Sequence, residues 1–257
     1  MDVYEGSGLP GQQRMLIINA DDWGRDSVST DTGLACYRQG RISSTSAMVF
    51  MEDSERGADL AATVGIDTGL HINFTQRFNH PGCPQWVVRE QDRIRRFLEL
   101  SKYALLIYNP FLCRAFKSVF NAQLCEFVRI FGRDPSHFDG HQHMHLGSNM
   151  LFQRIIPPGV RVRRSFSFRS GEKSAVNRVY RRLVDRRLAQ TYQLTESFFA
   201  LSSNLGAGKL EAMFALAGEA NVELMTHTWN QPEYDLLMSE RFGCLLETAE
   251  VGSYARM

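Results

Sequence analysis

Two adjacent carboxylates, Asp21 and Asp22, close the apolar run LIINA, and five of the seven histidines follow similar runs. His71 follows DTGL, His141, His143 and His145 are spaced two apart in FDGHQHMHL, and His227 follows VELMT. Imidazole and carboxylate together form a borderline ligand set that suits zinc, and the oxygen ligands also accept magnesium. One aspartate and two histidines around an ion leave positions open, and a water bound there becomes acidic enough to act as a nucleophile near neutral pH. The second carboxylate of the pair can then take the proton. Adjacent side chains at a strand end diverge, so one can reach the metal and the other the water.

Each feature has a plainer explanation when taken alone. A histidine such as His71 can be a hydrogen-bonded structural residue. The HxHxH run can be a sharp turn, or a strand whose histidines share one face at period two. The aspartate pair can cap a helix beginning near Ser27, because carboxylates favour helix N-termini. Three such features at the ends of apolar runs favour a metal site.

Short apolar runs alternate with helical patterns along the chain. MLIINA, STSAMVF, DTGLHINF, SHFDGHQH, VRVRRSF and NVELMTH read as strands or strand exits. Helices are expected over about 27–39, 53–64, 119–131, 172–188 and 210–218, with Gly40 and the FGRDP segment supplying stop signals. Alternation of this kind implies right-handed βαβ units and a mainly parallel sheet, and its length favours a barrel-like fold. Parallel architectures gather their strand C-termini on one face, which is where these polar residues fall. The whole chain, 1–257, reads as a single domain. Residues 77–118 break the rhythm with an irregular loop and an aromatic-rich, helical stretch, and form a lid or interface insertion.

The segments LIINADDWG, GRISSTSAMV, GLHINFT and FGRDPSHFDGHQHMHL, in that order, resemble successive motifs of the YdjC-like carbohydrate deacetylases, which include chitooligosaccharide deacetylases. VELMTH continues the resemblance near residue 227. The resemblance implies an α/β fold, a distorted TIM-like (β/α) barrel related to polysaccharide deacetylases, with one divalent metal ion, zinc or magnesium. It implies removal of the N-acetyl group from an N-acetylglucosamine-type sugar or oligosaccharide. It also implies that Asp22, His71 and His141 hold the metal, that Asp21 is the general base, and that His227 is the acid or oxyanion partner. Asp139, His143 and His145 would then orient the ligands or contact substrate, and Arg163 falls where the family places an active-site arginine. The chain departs from the family pattern at Trp23, where phenylalanine is common and where a larger ring would reshape the sugar platform. It departs again at Gly140, which replaces a serine. A metal phosphoesterase and a non-catalytic sugar-binding protein on the same fold are the alternative readings.

Between Arg161 and Arg187 stand Arg161, Arg163, Arg164, Arg169, Lys173 and five further arginines, opposed only by Glu172 and Asp185. Helical spacing lets Val176, Val179, Tyr180, Leu183 and Val184 share a buried face. The basic surface is either a solvated helix face or a site for an anionic partner, such as a nucleotide- or lipid-linked sugar or a membrane surface. A net charge of +1 speaks against general attraction to nucleic acid. The five cysteines lack CxxC spacing and read as reduced thiols of a cytoplasmic protein. The N-terminal segment shows no secretory signal, and no uninterrupted apolar run reaches the roughly 18 residues of a transmembrane helix, so none is expected. Aromatics expected to be exposed, such as Phe111 and Phe116, suit a homodimer.

Overall fold

The computed structural model describes residues 14–168, 174–206 and 208–257. An all-parallel, seven-stranded sheet lies at its centre. The strands are β1 (Leu16–Trp23), β2 (Ser44–Ala47), β3 (Asp67–Ile72), β4 (Phe138–Gly140), β5 (Ser197–Ala200), β6 (Val222–Thr226) and β7 (Val251–Gly252). Their order is β4-β3-β2-β1-β6-β5, with β7 paired to Leu16 and Ile17 at the start of β1. Parallel neighbours need crossover connections. These run through α1 (Ser27–Arg38), α2 (Ser54–Val64), α3 (Gln85–Glu99), α4 (Cys113–Phe131), α5 (Ser148–Gln153), α6 (Ala175–Ala189) and α7 (Lys209–Ala217), while α8 (Gln231–Met238) and α9 (Glu240–Leu246) lead to β7. The sheet curls into a half-barrel, the distorted TIM-like form that the resemblance implies.

Residues 160–167 span the gap between the two edge strands. The Arg163 N–H donates to Phe138 O on β4, and the Ser167 N–H donates to Phe198 O on β5. The strand expected at VRVRRSF therefore reduces to isolated bridges at Arg161 and Val162. The segment crosses from one edge strand to the other and lies along neither for long enough to form a ladder.

Strand alternation assigns the faces of β1. Leu16, Ile18 and Ala20 join the outer core with Leu34 and Cys36 of α1, Ala61 of α2 and Leu237 of α8. Ile17 points the other way and packs with Met15 and Tyr254. Asn19 and Asp21 follow Ile17 on that inner face, so the barrel interior becomes polar as the strand nears its C-terminus.

Parts of the 77–118 segment pack into the core. Pro84 sets φ at −60° and the helix α3 begins directly after it, burying Val87 and Ile94. The helix expected in the following aromatic stretch does not form as one element: α3 ends at Glu99, only the short 3-10 turns Ala104–Leu106 and Pro110–Leu112 follow, and α4 starts at Cys113. Phe116 is 4% exposed and packs edge-on against Phe74 at 4.9 Å, so it cannot serve a dimer surface, whereas Phe111 is exposed. The expected apolar burial on α6 is also reversed: Val176, Val179, Tyr180 and Leu183 are exposed and Val184 half-buried, while Asp185 and Leu188 face inward. Asp185 turns inward because it accepts from Arg164 and from the Ser165 N–H. Arg169, Glu172 and Lys173 lie outside the described residues, as does the segment 1–13. All five cysteines are free. Among the described residues no helix is long and apolar enough to cross a membrane.

Candidate active site

Alternation along a regular strand would send Asp21 and Asp22 to opposite faces. The β1–β2 register slips between Ala20 and Trp23, and Asp22 has φ +69°, in the left-handed region that a non-glycine residue rarely adopts. This bulge keeps both carboxylates at the barrel mouth and turns Trp23 outward. Trp23 is 1% exposed, its ring wedged against Gly33 and Gly57, and its indole N–H donates to Gly57 O at 2.8 Å. The expectation that Trp23 faces sugar is therefore corrected: the ring is part of the core between α1 and α2.

Asp22 is a divided carboxylate. Its Oδ2 accepts from Arg25 Nη1 at 2.6 Å and from Trp229 Nε1 at 2.9 Å. Its Oδ1 lies 3.0 Å from His141 Nδ1 and 3.4 Å from His71 Nε2. The His71 Nδ1–H donates to Asp139 Oδ1 at 2.8 Å, which leaves Nε2 as the nitrogen presented to Asp22. Although burial opposes it, the Asp139, Asp21 and Asp22 carboxylates push the His71 pKa up to about 10. Burial alone would raise the Asp22 pKa, but the two histidines hold it well below the usual carboxylate value.

The three donor atoms of Asp22, His71 and His141 lie within 4.8 Å of one another. Bonds of about 2.1 Å to one ion place neighbouring ligand atoms roughly 3.0–3.4 Å apart. Both separations from Asp22 Oδ1 match that spacing, so the donor set fits a divalent cation. The charges fit as well. Asp21, Asp22 and Asp139 outnumber the two guanidinium groups that reach them, Arg25 and Arg163, so the site holds an excess of negative charge that a cation would offset. Asp21, His71 and Asp139 form a second possible trio. It is a poorer cation site, because Arg163 already neutralises both of its carboxylates.

Arg163 is fully buried and is the hub beneath this floor. Its Nη1 and Nη2 grip Asp21 in a fork at 2.8 and 2.7 Å, its Nη1 also lies 2.7 Å from Asp139, and its Nε donates to Glu223 at 2.7 Å. The Tyr254 hydroxyl donates to the other Glu223 oxygen at 2.5 Å. Burial pushes the Glu223 pKa up to about 7 against the pull of Arg163. Asp21 Oδ1 also accepts from Asn19 Nδ2 at 2.9 Å and lies 3.2 Å from the Ser46 hydroxyl. Despite burial, Arg163 lowers the Asp21 pKa and keeps the group ionised. Oδ2 has fewer donors than Oδ1, so it is the oxygen with spare capacity to accept a proton.

The HxHxH run is a sharp turn, with Gln142 and His143 at φ +53° and +58°. The three histidines therefore diverge. His141 joins Asp22, while His143 stands edge-on to Phe166 at 4.5 Å. The His145 Nε2–H donates to the Arg163 carbonyl at 3.0 Å. Burial lowers the pKa of His143 to about 3 and that of His145 to about 4, so both are neutral. A Cβ on Gly140 would stand 2.8 Å from the His145 backbone nitrogen. Gly140→Ala is accordingly expected to cost about 1–3 kcal/mol, read as a lower melting temperature. An unchanged melt would mean that this turn yields freely.

His227 is half-buried at the end of β6; its backbone N–H donates to Glu233 Oε2 at 3.0 Å, and its ring Nδ1 lies 3.8 Å from Glu233 Oε1. Burial would lower its pKa, but Glu233, Asp21 and Asp22 together raise it. Sequence reasoning did not find Arg25, Trp229, Glu223, Glu233, Ser46 or Asn19. A signal existed for two of them: Arg25 stands three residues after Asp22 in DDWGR, and Glu223 is a charge inside the apolar run VELMT.

A curled parallel sheet with carboxylate and imidazole groups at its strand ends is the architecture of a barrel-type enzyme. The chain belongs to the YdjC-like protein family, whose model matches residues 15–247. It is 27% identical over 221 residues to a chitooligosaccharide deacetylase of Proteus mirabilis, covering 83% of this chain and 80% of the relative. The chitooligosaccharide deacetylase of Salmonella paratyphi B is likewise 27% identical, over 236 residues, with 84% and 81% covered. The fold also matches a crystal structure of a candidate cellobiose-phosphate cleavage protein from Enterococcus faecalis V583. The TM-score is 0.64 at 16% identity, over 93% of this chain and 97% of that one.

Proposed function

We propose that the protein is a metal-dependent carbohydrate deacetylase that hydrolyses the N-acetyl group of an N-acetylglucosamine-type sugar or oligosaccharide. The observation that carries this reading is the division of labour in the aspartate pair. Asp22 turns one oxygen to two imidazoles, while Asp21 is clamped by Arg163 and holds no imidazole. Family membership and the names of the relatives support the substrate class.

Asp22, His71 and His141 would hold zinc or magnesium, and such an ion would polarise the acetyl carbonyl and acidify the attacking water. Asp21 takes the water's proton on Oδ2, its orientation fixed by the Arg163 fork. Asp139 holds the His71 ring through Nδ1. Arg25 and Trp229 occupy Asp22 Oδ2 and so leave Oδ1 as the oxygen that would face a cation. His227 delivers a proton to the departing amine, and the Glu233 carboxylate behind it favours the protonated ring. The loop 100–111 is tied to the residues after the HxHxH turn by the Asn109–Asn149 hydrogen bonds, and we assign it as a wall or lid of the sugar groove. The free thiols suit a cytoplasmic setting.

An imidazolium acid is available below its pKa and lost above it. The alkaline limb of kcat/KM is therefore expected above the ordinary imidazole value of 6.5. In His227→Ala that limb should disappear along with most of the rate. A limb unchanged in the variant would remove His227 from the acid role.

The test of the reading is acetate release from a panel of N-acetylated sugars: mono- and oligosaccharides, and nucleotide- and lipid-linked forms. Release from an N-acetylglucosamine-type member supports it. Sugar binding with no release from any member would favour the binding-protein alternative.

A further inference from the structure

Helix α6 presents two features that the proposed chemistry does not use. Val176 is 80% exposed, Val179 53%, Tyr180 45% and Leu183 56%. At positions i, i+3, i+4 and i+7 they form one continuous stripe, opposite the side on which Asp185 and Leu188 are buried. The stripe is bordered by the exposed Arg182, Arg186 and Arg187. The only acidic residue of the helix, Asp185, is turned inward and paired with Arg164. The outward face of this 15-residue helix is thus apolar along its centre, with exposed arginines along one flank and at its C-terminal end and no outward-facing acidic side chain.

We infer that α6 is a membrane-interface helix that lays its Val176–Leu183 stripe into the surface of an anionic lipid bilayer, with the bordering arginines on the phosphate headgroups. The inference stands independently of the deacetylase reading. Charge complementarity selects this occupant. In a two-fold contact between copies the stripe would meet itself, and the arginines would meet arginines. A nucleic-acid backbone would satisfy the arginines and leave the apolar stripe in water. A bilayer with anionic headgroups covers both: acyl chains take the stripe, and the long arginine stems let the guanidinium groups reach the phosphates.

The test is co-sedimentation of the full chain with phosphatidylcholine vesicles and with mixed phosphatidylcholine–phosphatidylglycerol vesicles. The wild type should partition at least about tenfold more strongly onto the mixed vesicles, and less as salt is raised. Val179→Glu with Leu183→Glu should cut that partition about tenfold or more. Both positions are exposed, so the double variant should keep the wild-type circular dichroism spectrum. Arg182→Gln with Arg186→Gln should abolish the preference for phosphatidylglycerol. Wild-type partition equal on the two vesicles would overturn the inference. Binding retained in the apolar variant would reduce the effect to charge alone and also overturn it. Self-association of the wild type without vesicles, lost in the apolar variant, would assign the stripe to a second copy instead.

Discussion

Asp21→Asn should lower kcat by about a hundred- to ten-thousandfold, the range that a positioned general base supplies. The amide keeps the shape of the carboxylate and can still accept from Asn19 and from Arg163, but it cannot take a proton from water. Asp22, His71 and His141 are untouched, so cation affinity and sugar binding should survive. The loss therefore appears in kcat with KM little changed. Arg163 keeps Asp139 and Glu223 as partners, which limits the loss of stability. An equal fall in cation affinity would mean that Asp21 belongs to the ligand set. A rate within a few fold of wild type would take the base role from it.

Arg163→Met should be the most destabilising single change at the site. Removing one partner of a buried ion pair costs about 3–5 kcal/mol, because the remaining charge is left uncompensated. Here one guanidinium serves Asp21, Asp139 and Glu223, all at least nine-tenths buried. Arg163 holds the Asp21 and Asp139 pKa values down despite burial, so in the wild type these groups stabilise the fold above their unfolded values, and that stability is lost as pH falls through the lowered ones. Without Arg163 the buried carboxylates bind protons more readily, so the deficit should be larger near pH 8 than near pH 5. Arg163→Lys should recover only part of the loss, since an ammonium cannot fork one carboxylate while reaching two others. Chemical denaturation across pH checks both statements. A deficit independent of pH would show that packing and not charge is what Arg163 contributes.

The sequence made the site legible where chemistry sits at the ends of apolar runs. Asp21, Asp22, His71 and His141 are brought together by the parallel strand order, which the βαβ rhythm implies. Sequence distance hid the supporting residues. Arg163 meets Asp21 across 142 positions and Trp229 meets Asp22 across 207, so nothing local marks either pairing. The bulge at Asp22 was hidden too, since alternation places Trp23 on the same face as Asp21 and only the slipped register sends it to the core. The misplaced burial on α6 has a different cause: helical periodicity locates an apolar stripe but not what the stripe faces, and here Asp185 holds the opposite side inward. β5 escaped because four residues, SFFA, carry too little pattern to separate a strand from a loop.

Back-titration of chelator-treated protein with zinc or magnesium, followed by acetate release from an N-acetylglucosamine oligosaccharide, decides whether Asp22, His71 and His141 hold a catalytic cation. The expected result is no release from the stripped protein, recovery that saturates at one cation per chain, and no recovery in Asp22→Ala. Release that ignores the chelator, or an Asp22→Ala protein that recovers with the same stoichiometry as wild type, would contradict the assignment of this site.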